Sequence, residues 1–204
     1  MNNFGLVVIG AHSGVWLSSL LDEHKDRNIL LVEPVPYNIA LLKENTTKYK
    51  NITIETSAVS EKNEIKKFYY VKHDAVKKLG KHWASGIGSF DKQHILNHKY
   101  KRFMVTDIDI EEIDVQYLTF SNLMKKYSVS SIDLLQIDVE GAEFQILNSI
   151  NFEKIEIKKI IFEFKHFDGT FNEGPKLKSI KEKLIKFNYQ LKEIDKENIL
   201  AEKN

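Results

Sequence analysis

Between Ile132 and Leu147 the chain reads Ile-Asp-Leu-Leu-Gln-Ile-Asp-Val-Glu-Gly-Ala-Glu-Phe-Gln-Ile-Leu, and no other stretch restricts the fold as tightly. Leu134, Leu135 and Ile137 make a short apolar run of the kind that suits a strand buried on both faces. The run breaks at Asp138-Val139-Glu140-Gly141-Ala142-Glu143, and Phe144, Ile146 and Leu147 then resume at helical spacing. Carboxylates therefore crowd the point where a buried strand gives way to a helix. In an open α/β sheet, that carboxyl-end crevice is where ligands bind. A helix N-cap accounts for one acid, and Glu143, near the first turn, is read as that cap. Asp138 and Glu140 remain as a working pair, since titratable groups clustered in a cleft are a common signature of chemistry.

The rest of the chain supplies the sheet that such a crevice needs. Leu6-Val7-Val8-Ile9 is a second apolar run, ending in Gly10-Ala11-His12-Ser13-Gly14 before Val15, Trp16, Leu17, Leu20 and Leu21 continue as a mostly buried helix. Strand, glycine turn and helix together let backbone N–H groups approach a polar ligand closely, although two glycines alone suit a tight turn equally well. The dinucleotide fingerprint fails here because its middle glycine is His12, and no Gly-Lys-Ser/Thr follows to make a phosphate-binding P-loop. Ile29 to Val32 runs into Glu33-Pro34, and Pro36 opens a helix that continues through Asn45. Glu33 stands 19 residues after Gly14. A strand-end acid there is placed to accept hydrogen bonds from two ribose hydroxyls. Pro34 cannot prolong the strand ladder and swings the chain outward. A third strand, Ile52 to Thr56, delivers Ser57-Ala58-Val59 to the same edge. Residues this small let a flat heterocycle lie near the backbone, or simply pack tightly.

With 204 residues and 42% hydrophobic content, the chain is read as one domain, 1–204, with a sizeable core. A net charge of +1 leaves no global field toward nucleic acid or membrane. The absence of cysteine excludes disulfides, a thiolate nucleophile and Cys-ligated metal centres. No run approaches the ~20 apolar residues of a membrane span, and Met1 to Gly5 has no basic leader region, so the cytoplasm is the expected compartment.

The middle of the chain departs from strand–helix alternation. Ile65, Phe68, Tyr70 and Val71 suggest one strand, Phe103, Val105, Ile108 and Ile110 another, and Val115 to Thr119 a third. Between the first two, Lys72 to Arg102 carries eight Lys/Arg against two acids, Asp74 and Asp91, with four of the seven histidines. Its tip runs from Trp83 through Ser85 and Ser89 to Phe90. An insertion at about 61–110 is thus expected, either as a lid whose cations meet an anionic acceptor or as a solvated basic loop. His94 and His98 are read as a solvated pair, without the intervening glutamate of metalloprotease helices, and no metal is expected. Beyond the acidic turn, Ile155 to Phe164 is a further parallel strand that carries Glu163 to the ligand edge, with His166 after it. Pro175 starts a helix packed through Leu177, Ile180, Leu184 and Ile185. Tyr189 to Ile194 and Asn198 to Ala201 form a closing hairpin.

These motifs resemble the FkbM-type methyltransferases that use S-adenosylmethionine, over nearly the whole chain from Leu6 to Ala201. Val8 to Gly14 is similar to the first family motif. Glu33 to Asn38 with Leu42 to Asn45 matches the pattern of the next, and Ser57 to Ser60 that of the third. The hallmark Ile137 to Glu143 is the most specific, followed by Ile161-Phe162-Glu163. The pattern departs at Val8, His12, Gln136 and Ser121-Asn122. The resemblance implies a Rossmann-like, seven-stranded class I methyltransferase sheet of order 3-2-1-4-5-7-6, its last strand antiparallel and helices on both faces. It also implies methyl transfer to a hydroxyl of a sugar, glycan or natural product.

On this reading Gly10, Ala11, His12, Ser13, Gly14, Glu33, Pro34, Ser57, Ala58, Val59 and Asp138 hold the cofactor. Asp138, Glu140 and Glu163 serve the reacting hydroxyl, and Trp83, Ser85, Ser89 and His166 face the acceptor. A sulfonium methyl is already activated, so transfer needs alignment more than covalent catalysis. The hydroxyl proton needs an acceptor, with Asp138, Glu140, His12 and His166 all open for that role. Two other functions stay open: an inert cofactor-binding or assembly module, and a nicotinamide oxidoreductase, which the missing middle glycine disfavours. Substrate enclosure falls to the insertion or to a partner subunit.

Overall fold

A computed structural model describes residues 2–80, 82–97, 104–139, 141–169 and 173–204, with all side chains among them except those of residues 79, 82 and 83. In chain order, β1 (Asn2–Ile9) leads through a short 3-10 turn into α1 (Ser18–Glu23), and β2 (Asn28–Val32) leads into α2 (Pro36–Asn45). β3 (Ile52–Glu55) runs on to β4 (Ala58–Ser60). The middle holds β5 (Glu64–Val71), α3 (His73–Leu79), β6 (Gly88–Ser89) and α4 (Lys92–Asn97). Then follow β7 (Ile110–Thr119), α5 (Phe120–Lys126), β8 (Val129–Ile137), α6 (Glu143–Ser149), β9 (Glu156–Glu163), α7 (Pro175–Lys186), β10 (Tyr189–Glu193) and β11 (Asn198–Lys203).

Seven strands form the main sheet in the order β10-β11-β9-β8-β1-β2-β3. β11 is antiparallel to both its neighbours, whereas β9, β8, β1, β2 and β3 pair in parallel. Numbered among themselves, these strands give 3-2-1-4-5-7-6, the class I methyltransferase order. β1 lies inside the sheet between β2 and β8, and both its faces are covered. Val7 and Ile9 pack with Leu135, Ile137 and Ile146 on one side, and Leu6 and Val8 with Leu17, Leu31 and Leu42 on the other. A strand buried on two faces must be apolar at every position, which is why the runs read continuously rather than alternating.

A second sheet, β4-β7-β5-β6, is built from the middle segment. β5 and β7 pair antiparallel from Glu64↔Tyr117 to Val71↔Ile110. One strand, Ile110–Thr119, thus replaces two expected ones. Val105 is buried outside any strand, and Phe103 lies outside the described residues. One face of this sheet joins Val35, Ala58, Phe68, Tyr70, Val115 and Tyr117 in a core; the other shows Ile65, Glu112 and Asp114 to solvent at one end and buries Val71 and Ile110 under the insertion at the other. A strand covered on one face alternates, and the paired acids Glu111-Glu112 interrupt that alternation in the sequence. The described part of the insertion is packed rather than open: Ala84, Ile87 and Ile95 are buried with Val71, Val76 and Ile110. Among the described residues no helix is long and apolar enough to cross a membrane.

The carboxyl-terminal half closes on a lysine. α7 buries Leu177, Ile180 and Leu184. From the same helix Lys183 Nζ donates to the carbonyls of Leu147 (3.1 Å), Asn148 (2.6 Å) and Ile150 (2.9 Å). These carbonyls lie at or just past the end of α6, where Leu147 O also accepts from Ile150 N–H at 3.3 Å, and a cation there opposes the helix dipole. Hydrogen bonds to a charged group are worth about 1.5–3 kcal/mol. Lys183→Met keeps the packing and removes the donors, and is expected to lower unfolding free energy by about that amount in urea denaturation. A change under about 0.5 kcal/mol would mean that water caps α6 equally well.

Candidate active site

The site forms where the sheet order turns at β1. From β1 the chain proceeds to β2 on one side, and it returns much later as β8 on the other. Loops at the carboxyl ends of these strands diverge and leave a crevice. Gly10, at φ +91°, makes the junction possible, since a Cβ there would lie 1.7 Å from the carbonyl oxygen of Asp138. Asp138 N–H donates to Ile9 O at 3.0 Å, and the N–H groups of Gly10 and Ala11 donate to Val32 O at 3.0 and 2.9 Å. The glycine loop is therefore stitched to both neighbouring strands. Gly14, at φ +77°, packs so closely that a Cβ would meet Leu42 Cδ1 of α2 at 2.6 Å.

Glu33, 5% exposed, ends β2 facing this loop. Its carboxylate accepts from His12 N–H (2.9 Å), Val35 N–H (2.9 Å) and Asn38 Nδ2 (3.4 Å). Burial pushes its pKa up, and those three bonds oppose the rise. His12 adopts φ 52°. Its Nε2 lies 2.7 Å from Ser85 Oγ, its Nδ1 lies 3.3 Å from Ser13 Oγ, and burial holds its pKa below the ordinary value. Ser85 O in turn accepts from Asn38 Nδ2 at 3.0 Å. Tyr37 hydroxyl donates to Val71 O at 2.9 Å, and its ring stacks on His73 at 4.9 Å. The insertion is thus latched to the glycine loop and to α2. Ser13 and Ser85 face a second, open groove beside Trp16, Tyr37 and Lys77.

Gly10, His12, Glu33, Pro34, Ser57, Ala58, Val59 and Asp138 all line one cavity of about 360 Å³. Its far wall comes from the second sheet and the insertion, through Phe68, Tyr117, Gly88, Ser89, Phe90 and His94. Gly88 is pressed onto Phe68, whose ring a Cβ would meet at 2.7 Å. Ser57, 2% exposed, is one of the lining residues, and its Oγ is buried without a hydrogen-bond partner among the described residues. Its backbone is held: Ser57 N–H donates to Glu55 Oε1 at 2.9 Å, while Lys126 Nζ and Tyr127 hydroxyl donate to Glu55 Oε2 at 2.6 and 2.7 Å. An orphan hydroxyl at one end, a strand-end acid in the middle and a glycine loop at the other suit a nucleoside bearing a charged tail. Ala11 is fully buried beneath the loop.

Asp138 lines the cavity, whereas Glu143 and Glu163 are buried behind it and are not among the lining residues. One oxygen each of Asp138, Glu143 and Glu163 lie within 4.8 Å of one another. Glu163 ends β9, 6% exposed, with Lys165 Nζ donating to its Oε1 at 3.0 Å. His166 packs edge-on to His94, ring centroids 6.4 Å apart. Glu140, and the side chain of Trp83, lie outside the described residues. Glu143 does more than the capping expected of it. Only 1% exposed, it accepts from Val139 N–H (2.8 Å) and from Gly141 N–H (3.0 and 3.2 Å), gripping the acidic turn from inside. The signal for this was its spacing, because Glu143, Ile146 and Leu147 stand at i, i+3 and i+4 and share the buried helix face. The sequence placed Phe68 and Tyr117 on strands but gave them no part in the site, and it is the second sheet that brings them to the pocket.

Burial, aided by the nearby Glu163 charge and opposed by the N–H bonds, pushes the Glu143 carboxyl up to about 7 from 4.5. A carboxyl raised on folding stabilises fully below its unfolded value, and that contribution is lost as pH rises through the folded value. The protein is therefore expected to lose stability between pH 4.5 and 7 through this group. At ~1.4 kcal/mol per unit the loss is on the order of 3 kcal/mol. Glu143→Gln removes the titration and should flatten that slope in denaturant melts. Parallel pH curves for the two proteins would refute it.

Residues 9–194 match the family model described as methyltransferase FkbM domain. No curated protein sequence matches the chain. Solved structures of similar shape include one from a fibrillarin/Nop5p complex, at 16% identity, TM-score 0.48, covering 98% of this chain and 70% of that one. Precorrin-6y C5,15-methyltransferase from Geobacter metallireducens GS-15 is 11% identical, TM-score 0.48, covering 100% and 82%. Aeropyrum pernix fibrillarin, in complex with natively bound S-adenosyl-L-methionine, is 12% identical, TM-score 0.46, covering 97% and 65%.

Proposed function

The chain belongs to the FkbM family of S-adenosylmethionine-dependent methyltransferases, and from that premise we propose that it methylates a hydroxyl group of a sugar, glycan or natural product. The observation that carries the reading is the cavity that touches the ends of β1, β2 and β8 together with the Ser57–Val59 corner. Glu33 would hold the ribose hydroxyls with the lone pairs that its N–H partners leave free. Ser57, Ala58, Phe68 and Tyr117, which line the cavity together, would surround the base. The Gly10–Gly14 loop and Asp138 would take the amino-acid end. When bound, the sulfonium of the cofactor supplies an electrophilic methyl group that needs only an aligned nucleophile.

The protein's own work is then orientation, exclusion of water and acceptance of one proton. Asp138 reaches the cavity from the turn and is the described carboxylate best placed to take the hydroxyl proton. His12 is less suited, because its ring is committed to Ser85 and Ser13 and burial disfavours its charged form. Glu163, paired with Lys165, stands behind Asp138, with one oxygen of each within 4.8 Å of the other, and does not itself line the cavity. The packed insertion covers the cavity, and its exposed Lys77 and Lys78 favour an acceptor bearing phosphate or carboxylate.

Calorimetry with S-adenosylhomocysteine tests the donor pocket. Glu33→Gln replaces an acceptor oxygen by a donor and should weaken binding about tenfold or more, given about 1.5–3 kcal/mol per charge-assisted bond. Unchanged affinity would remove Glu33 from the cofactor site. For the chemistry, turnover of S-adenosylmethionine across a panel of nucleotide-linked sugars and hydroxylated metabolites identifies the acceptor. Asp138→Asn should then lose about 10²–10⁴ in rate, and near-normal turnover would place the base elsewhere.

A further inference from the structure

Burying three carboxyl groups together is costly unless their charge is reduced. Three anions whose oxygens lie within 4.8 Å repel one another, and a wall of low polarity strengthens that repulsion. The cheapest remedy is one shared proton, as in other carboxylate pairs that cannot both ionise. Glu163 has Lys165 to balance its charge, and Asp138 is half-buried at the cavity wall. Glu143 is the deepest, and its carboxyl oxygens are bonded only to peptide N–H groups among the described residues. Among the described residues the other charged or titratable groups nearby include His94, 3.8 Å from where a Gly141 Cβ would stand, His166 beside it, Asp91 on the wall of the same cavity as Asp138, and Lys176 of α7, over the Phe144 ring at 5.6 Å.

We propose that Glu143 is a positioning residue for the methyl donor: it grips the turn that presents Asp138, and it keeps the cluster's proton until a cationic ligand displaces it. The proposal rests on the donor reading above. A sulfonium arriving at the Asp138 wall supplies the positive charge that the proton had supplied, so the proton leaves to solvent. Transfer of the methyl group then forms a C–O bond and breaks a C–S bond, with the electron pair going to sulfur. The positive charge passes from sulfur to the released hydroxyl proton, and the cluster takes that proton up. Donor binds to the ionised cluster and neutral product faces the protonated one, so the same carboxyl favours the donor and speeds product release.

Proton release on binding reads this directly. Wild-type protein is titrated calorimetrically with S-adenosylmethionine, and separately with S-adenosylhomocysteine, in two buffers of different ionisation enthalpy. At pH 7 a group titrating near 7 is about half protonated, so the donor should release up to about half a proton more than the product. Donor affinity should rise about tenfold from pH 6 to pH 8, and product affinity far less. Glu143→Gln, which keeps an oxygen for Val139 and Gly141, should abolish both effects. The ligands' own titrations are common to the two proteins and cancel between them. Sinefungin, with an amine cation in place of the sulfonium, should behave as the donor does in the wild type, which keeps the test intact if the variant fails to fold. Equal proton counts for donor and product in the wild type, or an undiminished difference in Glu143→Gln, would overturn the proposal. No binding of any of the three ligands would instead overturn the donor reading, and this proposal with it.

Discussion

Everything in this protein depends on how closely β1 approaches β8 at Gly10. With the space of a Cβ taken by Asp138 O, only glycine allows the two strands to stay paired to their ends. The same contact brings the glycine loop and the acidic turn into register. Were it loosened, Asp138 would no longer share a wall with Glu33 and Ser57, and the seven-stranded sheet would hold no pocket. A backbone approach of this kind is settled by packing density, not by any single attraction.

Around that junction, buried carboxylates are answered locally by N–H, hydroxyl and ammonium donors. Glu33 is met by His12, Val35 and Asn38, and Glu55 by Lys126, Tyr127 and Ser57. Burial raises a carboxyl, whereas N–H and ammonium donors lower it. The balance differs from acid to acid. Glu55 ends below its ordinary value, despite burial, because lysine, tyrosine and peptide donors outweigh it. Glu143 has peptide donors alone and ends above. Environment, not residue type, separates an acid that braces from one that titrates near neutral pH.

The insertion turns an open crevice into a cavity. Its core of Val71, Ala84, Ile87 and Ile95 gives it rigidity of its own, and Ser85 fastens it to His12 and Asn38. His12 thereby serves both sides, with its backbone N–H on Glu33 and its ring on the insertion. Departure from the family pattern at this position coincides with the tie between the lid region and the glycine loop.

The linear sequence contained the main sheet, because strands buried on both faces must be apolar throughout, and Leu6–Ile9, Ile29–Val32 and Leu134–Ile137 satisfy that without ambiguity. It also contained the ends of those strands, where Gly10, Glu33 and Asp138 interrupt the runs and sit in one cavity. Tertiary structure alone decided the second sheet, since β5 and β7 pair across a long insertion and expose only part of one face, leaving an alternation that Glu111-Glu112 obscures. It also decided that Phe68 and Tyr117 wall the pocket, that His12 meets Ser85 across 73 positions of chain, and that Glu143 turns inward. A carboxylate reads the same in sequence whether it faces water or protein. Its chemistry is set by the groups that folding places around it.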